Sequence, residues 1–249
     1  MDLTFEEFTE LSEPLFEGIN VDIKSKIVTF TDAHENYVNT SIKDNPSQEK
    51  NIISIFKRKK TSGIISDGNP LVHALKGNNG WSISDEDRNA IWDRVDEVLE
   101  KIESKYDLVV IAPSSNSFVK IFGDRVVNRF SIPVLEKCFM KVTKEEILDA
   151  SPWKGFSEEE IEMVDKAMSK MDHWFESKYF PKVLVDKFQY NIVKIDPEFE
   201  GFGVIDGKNI LVIDDVLSSG WSLKSCANVL SEHYFPESIT LLTLFGKAE

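Results

Sequence analysis

Three observations in the sequence predict an α/β fold: an open, mostly parallel sheet flanked by helices. Ile210-Leu211-Val212-Ile213 is a continuous apolar run bounded by Lys208-Asn209 and Asp214-Asp215, the pattern of a strand buried on both faces. A second run of the same form spans Asp107 to Ala112. Each is followed by a short polar loop and then by apolar residues at helical spacing, Phe118, Phe122 and Val126 behind the first and Leu223, Cys226, Ala227 and Leu230 behind the second.

In chain order, residues 1–82 form an N-terminal extension of uncertain structure, and residues 83–249 carry the α/β pattern. Val21 to Thr31 and Asn51 to Phe56 hold short apolar or alternating runs that could be strands, separated by the polar stretch Asn39 to Lys50. Lys57-Arg58-Lys59-Lys60 is the one basic run in an acidic chain, and it reads either as a solvated loop or as a contact for a polyphosphate. Asp67-Gly68-Asn69-Pro70 and Asn78-Asn79-Gly80 are turns by composition, with the apolar residues Leu71, Val72, Ala74 and Leu75 between them.

Ser84 with Asp87 three residues on resembles a capping box, and Ile91, Trp92, Val95, Val98, Leu99 and Ile102 then form one stripe. That predicts an amphipathic helix lying on the sheet. The first buried strand and its loop follow, and the next helix runs to about Phe130, ahead of Pro133.

Residues 141–190 read as an insertion rich in charge and aromatics. Within it Ser157-Glu158-Glu159-Glu160 is a capping box that opens a helical stripe through Ile161, Val164, Met168 and Met171 to Trp174. Trp153, Phe156 and Trp174 are candidates for stacking on a base, although large aromatics chiefly supply buried area, and His173 reads as structural. Phe188 to Ile195 alternates like a strand and leads into a loop from Asp196 to Gly207 with three glycines, which could close over a ligand. Ile239 to Phe245 is one more sheet strand.

Composition narrows the function classes. The chain has 249 residues, 41% of them hydrophobic, with 17 Phe and 5 Trp to fill a core. Its formal charge of −14 argues against a surface built to track nucleic acid, which relies on Lys and Arg. Two cysteines, Cys138 and Cys226, allow neither a disulfide framework nor a four-thiolate zinc site, and Cys226 on an apolar helix face reads as a buried, inert thiol. The first residues are acidic where a secretory signal is basic, and no apolar run approaches membrane-spanning length, so a cytoplasmic setting is expected.

The candidate site is the polar loop after the second strand. A helix start leaves backbone N–H groups unpaired and carries a partial positive charge, so Ser218, Ser219, Gly220 and Ser222 suit a phosphate. Asp214 and Asp215 stand at the carboxyl end of the strand, where open α/β sheets bind ligands. Adjacent carboxylates there can accept hydrogen bonds from the vicinal hydroxyls of a ribose or hold the waters of a magnesium ion. The competing reading is an acidic pair that merely ends a strand and a serine that caps a helix.

The run Asp214-Asp215-Val216-Leu217-Ser218-Ser219-Gly220-Trp221-Ser222 resembles the signature of the type I phosphoribosyltransferases: aliphatic residues, two acidic residues, two variable positions, two hydroxyl residues, Gly, any residue, then Thr or Ser. The resemblance implies that Asp214 and Asp215 are the catalytic pair, contacting the ribose hydroxyls of phosphoribosyl pyrophosphate and placing Mg2+ through its waters. It implies that Val216, Ser218, Ser219, Gly220, Trp221 and Ser222 hold the 5-phosphate. Pro113, Ser114, Ser115, Asn116 and Ser117 resemble the family's pyrophosphate loop, nearest its competence-associated branch.

Two departures stand out. Trp221 fills a position that is usually small, and the first loop lacks a cation of its own, Lys120 and Arg125 being the nearest. The resemblance further implies a hood built from the insertion, a small-molecule nitrogen acceptor that is most often a nucleobase, and a homodimer. Alternatives are a regulator that binds phosphoribosyl pyrophosphate or a nucleotide without catalysis, and a magnesium-dependent phosphohydrolase.

Overall fold

The computed structural model describes residues 19–31, 38–45, 48–58, 70–102, 105–114, 117–142, 146, 157–159, 161–162, 193–199, 201, 203–217 and 220–248. The central sheet has six strands in the order β3 (Val38–Asn45), β4 (Gln48–Arg58), β11 (Ser238–Ala248), β10 (Asn209–Val216), β6 (Leu108–Ile111) and β7 (Val134–Leu135). Every neighbouring pair is parallel except β3 and β4, which run antiparallel. The two apolar runs thus lie side by side, with Ile210 opposite Leu108 and Ile213 opposite Ile111.

Alternation along β10 fills both faces. Leu211 and Ile213 enter one core with α1 (Pro70–Lys76), α2 (Asp85–Lys101) and α3 (Phe118–Phe130). Ile210 and Val212 enter a second core with Leu223, Cys226, Ala227 and Leu230 of α4 (Trp221–His233). The second core also takes Phe139 of β8 (Phe139–Lys141) and Val193 of β9 (Val193–Ile195), which pair antiparallel. A third sheet, of β1 (Ile19–Asp22), β2 (Ile27–Phe30) and β5 (Ser82–Ile83), flanks the first core.

Local chemistry accounts for the elements. Ser84 accepts from the Asp87 N–H at 3.0 Å, so the predicted cap forms, and Asp87 Oδ1 also takes the Phe30 N–H at 2.9 Å. One carboxylate thereby starts α2 and ties it to β2. Asp107 receives the Asn209 backbone N–H at 2.8 Å, locking the start of β10 to the strand beside it. Gly123 is required by close approach: a Cβ there would stand 2.8 Å from Ile213 Cδ1 and 2.9 Å from Ile111 Cδ1, so α3 rests directly on β6 and β10.

The parallel sheet expected from about residue 105 begins earlier in the chain. β4 pairs with β11, Ile52 opposite Leu241 and Ile53 opposite Leu242, and the hydroxyls of Ser54 and Thr243 meet at 2.8 Å in the buried seam. The stretch read as a polar separator between strands is largely a hairpin, β3 folding back on β4 with Ser41 opposite Asn51. Backbone pairing at a sheet edge tolerates polar residues, which is why the apolar pattern did not reveal it. The apolar residues after Pro70 form α1, with residues 70–75 buried.

Other expectations meet the structure unevenly. β9 covers the end of the strand predicted from 188 to 195, and β11 covers the one predicted from 239 to 245. Trp153, Phe156, His173, Trp174, Lys59 and Lys60 lie outside the described residues. Among the described residues no helix is long and apolar enough to cross a membrane.

Candidate active site

Register brings the two predicted loops to one edge of the sheet. Ala112 donates its N–H to the Ile213 carbonyl at 2.9 Å, so the chain leaves β6 at Pro113 beside the point where β10 reaches Asp214 and Asp215. Asp215 N–H in turn donates to Asp214 Oδ1 at 2.8 Å. Gly220, in the left-handed conformation at φ 78°, is the N-cap of α4, and Trp221 is its first residue. Such a φ favours glycine, in keeping with its place in the motif. Of the predicted site residues, Ser115, Asn116, Ser218 and Ser219 lie outside the described residues.

The strand's alternation points the two carboxylates to opposite faces. Asp215, on the side of Ile213, is buried and forms an ion pair with Lys76 Nζ at the end of α1. Asp214, on the side of Val212, is half-buried, and its charge is felt by the Cys226 thiol of α4. Burial, and next the charge of Asp215, push the Asp214 carboxyl up to about 7, against the Asp215 N–H and the ammonium groups of Lys76 and Lys141. Lys141 sits at the end of β8; burial draws its pKa down while Asp214 and Asp215 hold it up. Two acids and two lysines therefore share this edge.

A cavity of about 480 Å³ opens beside them. Pro113, Ser114 and Ser117 of the predicted pyrophosphate loop form one wall, and Glu136, Lys137, Phe139 and Lys141 form the other. Lys120 also lines it, but Glu136 and Asp124 hold its ammonium. Arg125, the other cation near the loop in sequence, faces elsewhere, paired with Asp96 at 2.6 Å and lying over the Trp92 ring. The loop's cations come instead from Lys137 and Lys141.

Sequence reasoning missed Lys76, Lys137 and Lys141. Lys76 had one faint signal, a cation at the end of an apolar run just before the turn at Asn78-Asn79-Gly80. Lys141 stood at the border of the insertion with nothing to mark it. The cysteines behave as expected: Cys138 and Cys226 are free and buried, and burial raises both thiols, Cys138 to about 12.

The donor set fits magnesium in one form only. Magnesium keeps waters and takes one or two carboxylates together with substrate phosphates. Asp214 and Asp215 supply that much, and among the described residues no group of three or more His, Cys, Asp or Glu forms a cage of protein ligands. The residues thus suit an ion shared with a bound diphosphate.

No family model matches the chain, and no curated protein matches it. Among solved structures, a hypothetical protein from Neisseria gonorrhoeae with bound ppGpp is similar at 16% identity and a TM-score of 0.37, over 67% of this chain and 70% of that one. The adenine phosphoribosyltransferase from Thermoanaerobacter pseudethanolicus is similar at 12% identity and a TM-score of 0.34, over 84% of this chain and 95% of that one. The adenine phosphoribosyltransferase from Leishmania tarentolae is similar at 11% identity and a TM-score of 0.35, over 90% of this chain and 93% of that one. What this site binds depends on its own residues.

Proposed function

We propose that the chain transfers ribose 5-phosphate from phosphoribosyl pyrophosphate to a nitrogen acceptor, a nucleobase, with release of pyrophosphate. The observation that carries this reading is the pairing of unlike loops at one sheet edge: an acidic pair leading into a glycine-started helix, beside a serine loop whose cavity is lined by Lys137 and Lys141. A donor with a phosphate at one end, a diol in the middle and a diphosphate at the other matches that order of groups.

In this reading Asp214 and Asp215 accept the ribose hydroxyls, the loop into α4 anchors the 5-phosphate, and Ser114, Ser117, Lys137 and Lys141 receive the diphosphate. The bond from the anomeric carbon to the diphosphate oxygen breaks with its electron pair leaving on oxygen, and the acceptor nitrogen's lone pair forms the new bond. Magnesium, when bound with the donor, offsets charge on the departing diphosphate. Positive charge builds on the ribose ring, so the two carboxylates act by electrostatics and positioning, without a protein nucleophile.

Pyrophosphate release, followed across a panel of nucleobases with donor and magnesium, tests the reading. Release with one base names the acceptor. Donor binding without release for any base assigns the site to a regulator, and release of phosphate from simple esters in place of ribosyl transfer assigns it to a hydrolase.

A further inference from the structure

Lys76 is held with unusual firmness for a lysine. It ends α1, whose preceding residues from Pro70 to Leu75 are all buried. The turn beyond it is fixed by Gly77 N–H to the Ala74 carbonyl at 3.2 Å and Asn78 N–H to the His73 carbonyl at 2.8 Å. Its side chain is 17% exposed, and that of its partner Asp215 is 9% exposed. A carboxylate buried to that degree needs a matching charge.

Charge bookkeeping at the edge is closed. Asp214 and Asp215, when ionised, carry two negative charges, and Lys76 and Lys141 supply two positive ones, each acting on the pair. A bare divalent ion entering this set meets a cancelled field and an ammonium already seated on Asp215. The same ion brought in on a diphosphate carries its own compensation.

We propose that Lys76 is the acidic pair's built-in counter-cation: it seats Asp215 in the free protein and keeps magnesium from settling there ahead of the donor. The counter-cation role stands on the ion pair; its service to the donor rests on the phosphoribosyl reading. Lys76 is a positioning residue in this scheme, since it acts through Asp215.

The test is calorimetry of magnesium chloride alone, without donor, on the full chain and its variants. Wild type and Lys76→Arg should bind magnesium weakly and alike. Lys76→Gln, whose amide can still donate to Asp215, should bind it at least tenfold more tightly, and its melting temperature should climb with magnesium more than that of wild type. Lys76→Met should melt lower than wild type without magnesium and recover with it, which keeps the test open even where this variant is unfolded in metal-free buffer. A gain under tenfold for Lys76→Gln, or no recovery of Lys76→Met with magnesium, overturns the proposal. Donor failing to bind wild type would count against the phosphoribosyl reading and leave these magnesium outcomes as they are.

Discussion

At the end of β6 the chain leaves the sheet through Pro113 and enters α3 past Ser117, facing lysines; at the end of β10 it passes two aspartates and enters α4 through Gly220. Ser117 has helical backbone angles and Gly220 is left-handed, and neither makes a side-chain cap hydrogen bond. Ser84, which starts α2 away from the site, does cap its helix. One backbone plan, repeated in register, thus sets two helix entries at a single edge, while side chains make one loop cationic and the other acidic. The division of labour is chemical, and the sheet supplies only the spacing.

Four expected outcomes would break or sharpen that comparison. The largest concerns the shared foundation. Gly123→Val puts side-chain carbons where Ile213 and Ile111 already stand, so it should cost about 2–3 kcal/mol in urea unfolding and disturb both loops together. An effect confined to the first loop would mean the two units are not coupled through α3.

Next comes the charge on the acidic side. In the folded chain Asp214 holds its proton up to about pH 7, against an ordinary value of 3.8, so the group's contribution is fully present below about 3.8, falls as pH rises, and is flat above about 7. Asp214→Asn should therefore raise stability at pH 8 by about 2 kcal/mol, half the limit set by about 1.4 kcal/mol per pH unit, and the gain should vanish near pH 4. Melting curves across pH read this directly, and a loss of stability at pH 8 would contradict it.

The third outcome tests whether β4 belongs to the frame that carries the loops. Thr243→Val leaves the buried Ser54 hydroxyl without its partner and should cost about 1–2 kcal/mol, part of which Ser54→Ala in the same chain recovers. The smallest separates a structural serine from a ligand-facing one. Ser84→Ala should cost about 1 kcal/mol, whereas Ser117→Ala should change stability by less than about 0.5 kcal/mol and weaken donor binding instead. Equal losses of stability in both variants would make Ser117 an ordinary cap.

The buried strands and amphipathic helices were legible because each announces itself within a dozen residues. Ile210 to Ile213 is apolar on both faces, and α2 shows its cap and its stripe together. β3 was not, since edge pairing asks little of side chains, and α1, at seven residues, is too short to show a helical period. The acidic pair was legible as a motif. Its cations were not: Lys76 lies well over a hundred residues away in sequence, and Lys137 and Lys141 reach the cavity only because β7 and β8 carry them past the first loop. Charge neutralisation is a property of the folded edge, and no local pattern encodes it.

The most direct measurement is calorimetry of phosphoribosyl pyrophosphate with magnesium on wild type and on Asp214→Asn/Asp215→Asn. Saturable binding by wild type that is lost in the doubly substituted chain, while both melt cooperatively, is the result expected of a ribose-holding acidic pair. Equal binding by the two proteins, or none by a folded wild type, would contradict the assignment and leave Asp214 and Asp215 as the end of a strand.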